Sequence, residues 1–125
     1  MSTQDSVAGD EDKPFQRGHV VWVEWEDHIE SRAFLILSNH PHPQQGDEYT
    51  GVPLSTIEQD DALRIQPADW TVGGLNDPCF ALSWRLQTIP HRAIERGIGA
   101  LSDEIVEEVL RSARAIFEPE DEESR

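Results

Sequence analysis

Lysine is almost missing from this chain of 125 residues: Lys13 stands alone beside nine arginines and against 25 acidic residues, for a formal charge of −15. So few basic residues argue against the broad positive face with which most nucleic-acid-binding proteins hold phosphate. That argument weakens in strong salt. At 1 M the Debye length is about 3 Å, and counterion release contributes little when the bulk is already concentrated. Acid excess with almost no lysine is what a protein working in multimolar cytoplasmic salt is expected to carry, because carboxylates hold water and cations while lysine stems expose apolar surface. The other reading of the same composition is an acidic protein of ordinary salt. Cysteine is also scarce. A lone Cys79 excludes an internal disulfide and fits a reducing, cytoplasmic setting. No apolar run approaches the roughly 20 residues of a membrane span, and Met1 to Asp12 has no signal-peptide core. A soluble cytoplasmic protein with no membrane partner is therefore expected.

The length suits one domain. Residues 1–14 are polar and acidic and read as a disordered leader, residues 15–117 as the domain, and residues 118–125 as an acidic tail. Within the domain, β-branched and aromatic runs predict strands over about 18–25, 32–38 and 48–56. Ala62-Leu63-Arg64-Ile65-Gln66 alternates as a half-buried strand does. Gly73-Gly74 and Asn76-Asp77-Pro78 mark a loop, followed by a long strand from Cys79 to about Ile89. A turn led by Pro90, a short helix through Ile94 and a last strand at 97–101 complete the β portion. The final helix is expected to be capped by Ser102, with Asp103 and Glu104 in its first turn and Pro119 ending it. Ile105, Val106, Val109, Leu110, Ala113, Ile116 and Phe117 form its apolar stripe. Several short strands with one terminal helix imply a mainly β fold, a small and strongly bent SH3-like barrel with helical cover.

Two segments at the start carry more. Arg17-Gly18-His19-Val20-Val21-Trp22-Val23-Glu24-Trp25 is followed by a short polar loop. Ser31-Arg32-Ala33-Phe34-Leu35-Ile36-Leu37-Ser38-Asn39 comes next. Together they resemble the opening of the MazF/PemK toxin family. There an Arg-Gly-Asp-(Ile/Val)-Trp-like strand and a loop precede an arginine that opens an apolar strand ending in Ser-Asn. Val52-Pro53-Leu54-Ser55-Thr56 and Ile98-Gly99-Ala100-Leu101-Ser102-Asp103-Glu104 extend the resemblance, which runs from about Arg17 to Phe117.

The resemblance implies a metal-free endoribonuclease toxin acting on single-stranded RNA, a homodimer, with a cognate antitoxin and no cofactor. Arg32 then falls where the family's arginine contacts the scissile phosphate. A guanidinium suits that place, being always charged and forked onto phosphate oxygens. Taken alone, Arg32 reads first as an edge-strand residue paired with Glu30 or Glu24; the surrounding motif reverses that preference. Ser55 and Thr56 fall where the family keeps a hydroxyl pair after its Val-Pro-like strand, and a strand-end hydroxyl that satisfies a turn is an equal reading of the same residues. Departures are visible. The loop is cut to Glu26–Ser31, so Glu30 stands in for a family carboxylate, and Ala33 replaces a proline. In Ser83-Trp84-Arg85-Leu86-Gln87-Thr88-Ile89, Arg85 stands where the family has glutamine.

Trp84 and Arg85 together have the chemistry to stack on bases and reach phosphate; the other reading makes Trp84 core and Arg85 its solvated neighbour. His28 in the short loop can serve as acid or base near neutrality, or be merely solvated. His40 and His42, separated by Pro41, lack a third ligand at metal-binding spacing. Cys79 reads as a core residue at a strand start. The primary expectation is a sequence-selective endoribonuclease, with Arg32, Ser55, Thr56 and Glu30 at the reacting phosphate and His28, Trp84 and Arg85 holding the strand. The alternative is a family barrel that has lost cleavage and acts as a binding or regulatory module.

Overall fold

The computed structural model describes residues 14–24, 33–39 and 41–119, and these make one strongly curled antiparallel sheet with a single α-helix. The strands are β1 (His19–Val23), β2 (Ala33–Ile36), β3 (Glu48–Ser55), β4 (Leu63–Ile65), β5 (Trp70–Gly73), β6 (Cys79–Ala81), β7 (Gln87–Pro90) and β8 (Ile94–Leu101); α1 spans Asp103–Ala115. Their order is β4-β6-β3-β2-β1-β8-β5, with β7 also paired to β3. The expected mainly β, strongly bent architecture is what forms, a half-barrel with a C-terminal helix.

The central strands read as unbroken apolar runs because both of their faces are covered. Val20 of β1 and Leu35 of β2 join the cluster under α1, which also holds Val52, Leu54, Val109 and Leu110. Val21, Val23, Phe34 and Ile36 belong to a second cluster with Phe15, Tyr49 and Ile89. β7 and β8, joined by a 3-10 turn at His91–Ala93, return to β3 and β1 and so enclose this second core. Each such side chain, fully withdrawn from water, contributes about 1.5–3 kcal/mol.

β3 crosses β2 closely at Gly51, which pairs with Ile36 and Gln87. A Cβ there would meet the Leu35 carbonyl and the Ile89 side chain. Gly51→Ala is therefore expected to lower stability by about 1–3 kcal/mol through overpacking, a shift that a thermal melt measures directly.

The long strand expected from Cys79 to Ile89 is broken in two. β6 pairs with β3 as far as Leu54↔Ala81, and pairing resumes at Gly51↔Gln87. Between them the Leu82 N–H still donates to the Pro53 carbonyl at 3.1 Å. Pro53 has no N–H to return. The Leu82 carbonyl accepts from the Arg85 N–H instead, at 3.0 Å, and that bond closes a turn over Leu82–Arg85. The break thus originates in a proline on the neighbouring strand.

β5 stands where a loop is expected around Gly73. It is an exposed edge strand on β8, with Gly73 opposite Gly99; its Trp70-Thr71-Val72 run is β-prone but too short to separate from the loop that the glycines mark. The strand expected at 97–101 begins earlier, at Ile94. Ser102 occupies the N-cap position in extended conformation, but its side chain makes no cap hydrogen bond. Its backbone N–H donates to the Asp69 carbonyl at 2.7 Å, tying the helix start to the turn before β5. The buried helical stripe is Ile105, Val106, Val109, Leu110 and Ala113. Ile116 and Phe117, expected within it, are 48% and 72% exposed, because the helix ends at Ala115.

Candidate functional site

The end of β3 gathers most of the described candidates. Leu54 is buried, Ser55 half-buried and Thr56 exposed, so the strand surfaces at its hydroxyl pair. The Ser55 Oγ accepts the Ile57 N–H at 3.0 Å and lies 3.4 Å from the Ile57 carbonyl. This is a local side-chain turn of the kind serine favours, and it fixes the direction in which the chain leaves the sheet. Ser55 pairs across to Phe80 of β6.

The turn between β6 and β7 carries Trp84 and Arg85. It starts at Leu82, bonded to Pro53, so both candidates lie along the β3 edge that also carries Ser55. Trp84 is half-buried and Arg85 exposed. Trp84 is not among the buried residues of either core cluster. On the helix side this turn is tied down by a 2.7 Å hydrogen bond between the Ser83 and Ser112 hydroxyls.

Arg32, Glu30 and His28 lie outside the described residues, as does His40. What is described is their chain neighbour Ala33, which pairs with Leu54, the residue before Ser55. His42 is held locally, its Nδ1 accepting the Gln44 N–H at 2.9 Å. Among the described residues no three histidines, cysteines or carboxylates stand close enough to hold a metal ion. Cys79 is buried, and burial pushes its thiol up to about 11, far from a thiolate at neutral pH.

Three features were not anticipated from the sequence. A groove of about 330 Å³ at the start of α1 is lined by Gln16, Arg17, Asn39, Asp103, Val106 and Glu107. One guanidinium faces two carboxylates there, which suits phosphate poorly. On the sheet, the Arg96 guanidinium lies 5.3 Å from the Trp22 ring centroid while bonding Glu95 at 2.9 Å. Register alone creates the first of these contacts, since Trp22 pairs with Arg96 across β1 and β8. Finally, Tyr49 is fully buried with its hydroxyl 2.8 Å from His91 Nδ1. Burial raises the Tyr49 phenol; the Phe15 N–H opposes that shift and the Asp47 carboxylate adds to it.

Residues 16–117 match the model of the PemK-like, MazF-like toxins of type II toxin-antitoxin systems. The chain belongs to this family. Solved structures agree in fold. Toxin MazF-mt6 of Mycobacterium tuberculosis is 25% identical, with a TM-score of 0.59 over 82% of this chain and 99% of its own. MazF of Deinococcus radiodurans, in a crystal with MazE, gives 0.66 at 12% identity, over 87% of this chain and all of that one. An endoribonuclease from a mycobacterial species, in complex with its cognate antitoxin, gives 0.63 at 16% identity over 86% and 98%. No curated protein sequence matches the chain. The described residues contain no helix long and apolar enough to cross a membrane.

Proposed function

We propose that this family member is a sequence-selective endoribonuclease toxin that cleaves single-stranded RNA without a metal. It works as a cytoplasmic homodimer in concentrated salt and is restrained by a cognate antitoxin. The observation that carries this reading is the register of β2 on β3: Ala33, which follows Arg32 in the chain, pairs with Leu54, which precedes Ser55. Two separate sequence matches to the family thus meet at one point of the sheet.

In this mechanism the ribose 2′-oxygen attacks the adjacent phosphorus and the bond to the 5′-oxygen breaks. The products are a 2′,3′-cyclic phosphate and a 5′-hydroxyl. The 2′-hydroxyl proton leaves to a base, for which Glu30 and His28 are the candidates, and the departing 5′-oxygen takes up a proton. Arg32 stabilises the charge that builds on the phosphorane oxygens. Ser55 or Thr56 positions the phosphate, with Thr56 the less engaged hydroxyl, since Ser55 already serves its own turn. Trp84 and Arg85 hold the strand by stacking and phosphate contact.

The alternative, a barrel that binds RNA or protein without cleaving, is favoured by the same Ser55 turn and by Arg85 in place of the family's glutamine. Incubating purified protein with mixed RNA in molar potassium chloride, with and without EDTA, separates the two. Cleavage is expected to persist in EDTA and to leave cyclic-phosphate and 5′-hydroxyl ends. Activity lost to the chelator and restored by one divalent ion overturns the metal-free mechanism. Intact RNA that is nevertheless bound selects the alternative.

A further inference from the structure

Phe15 is 6% exposed although it enters from a polar stretch of chain, and it closes one end of the second core. Two imidazoles flank it. Its ring centroid lies 6.1 Å from that of His19, edge-on at 86°, and 5.7 Å from that of His91. The Phe15 N–H donates to the Tyr49 hydroxyl oxygen at 3.0 Å. In that buried setting the Tyr49 hydroxyl proton needs an acceptor, and the partner it has is His91 Nδ1, at 2.8 Å. The next residue repeats the arrangement, the Gln16 N–H donating to His19 Nδ1 at 3.1 Å. Both chains of hydrogen bonds therefore end on an imidazole nitrogen that must carry a lone pair.

We propose that Pro14 to Arg17 form an acid-released strap, fastened to the barrel by His19 and His91 acting as neutral acceptors. Protonating either ring sets N–H against a donor it previously received from. The Gln16 amide loses its acceptor at His19, and the Tyr49 proton loses its acceptor at His91. What then remains is the Phe15 N–H on the Tyr49 oxygen, the Gln45 side-chain amide, which donates to the Phe15 carbonyl at 3.2 Å, the His19 N–H on the Gln16 carbonyl at 3.0 Å, the Arg17 Nε–H on the Leu37 carbonyl at 2.8 Å, and the Phe15 ring contact. Gly18, at φ +95°, is the turn on which the strap leaves β1.

Among the described residues, the charged side chains on these elements are Arg17 on the strap, Glu24 after β1, Asp47 and Glu48 at the start of β3, Arg92 beside His91, and Glu95 and Arg96 on β8. The sign follows from burial, which holds the His19 imidazole below its ordinary value. The fold favours the neutral ring, so the strap is fully held above the free-imidazole range and is lost as pH falls through the lowered value. Gln16 and Arg17 also line the groove at the start of α1, so release removes one of its walls.

Amide hydrogen exchange by NMR, on the full chain in molar potassium chloride, tests this between about pH 7.5 and pH 5. Protection at Phe15 and Gln16, referred to the core amides of Val21 and Ile36, is expected to fall by at least roughly tenfold. The midpoint should coincide with protonation of His19 or His91 followed by imidazole 15N shifts. A double variant, His19→Gln with His91→Gln, keeps an acceptor at each place without titrating and should hold its protection. Unchanged wild-type protection at the lower pH overturns the strap, as does a loss whose midpoint matches neither histidine. An equal loss in the double variant overturns it too. Should that variant not fold, the wild-type titration decides alone.

Discussion

Arg32→Ala is expected to lower RNA cleavage by on the order of a hundredfold or more while leaving the melting temperature essentially unchanged. Preorganised charge aimed at a developing oxyanion contributes on that scale, because water cannot reproduce its orientation during the reaction. The apolar register of β2 begins at Ala33, and Phe34, Leu35 and Ile36 are the fully buried residues of that strand. Arg32→Lys should recover only part of the activity, since an ammonium keeps the charge but not the fork that spans two phosphate oxygens. The check is single-turnover cleavage of an RNA oligonucleotide, with circular dichroism on the same samples. Wild-type rates in the alanine variant would remove Arg32 from the mechanism. Loss of fold together with activity would instead make it a structural residue.

The second large effect is in stability. Between Phe15 and Phe117 the chain carries eight basic and sixteen acidic side chains, so the excess charge sits on the domain and not only on its ends. At 0.01 M ionic strength the Debye length is about 30 Å, and repulsion then acts across the whole molecule; near 1 M it is about 3 Å. The melting midpoint is expected to climb through a potassium chloride series by about 10 °C or more, some 2 kcal/mol at roughly 4–8 °C per kcal/mol for a domain of this size. A flat series would mean that the acid excess is not an adaptation to salt. The shortage of basic residues would then count fully against RNA binding.

Much of the sheet was legible because its central strands are extreme. Val20-Val21-Trp22-Val23 is strongly β-branched and Ala33-Phe34-Leu35-Ile36 is a short, unbroken apolar run, and a strand buried on both faces must be apolar throughout. The buried part of the terminal helix announced itself by period. Its last two apolar residues misled, since the same period continued past Ala115, where the helix ends. β5 gave only a three-residue signal in Trp70-Thr71-Val72, outweighed by the glycines after it, of which Gly73 serves a close crossing with Gly99.

By itself the sequence determined the secondary structure of the core, the family, and which side chains are chemically fit to meet a phosphate. Those are local properties, set by side-chain shape, period and charge along the chain. Tertiary structure alone decided which of them meet. Pro53 on β3 breaks a strand nearly thirty residues later because a missing donor is felt by whatever lies beside it. Ala33 falls opposite Leu54 because β2 and β3 share one register, and sliding it by a single residue would send every side chain to the other face. Phe15 finds Tyr49 and His91, far along the chain, because β7 and β8 curl back around one core. Each of these depends on a partner at long separation, which no window of sequence contains.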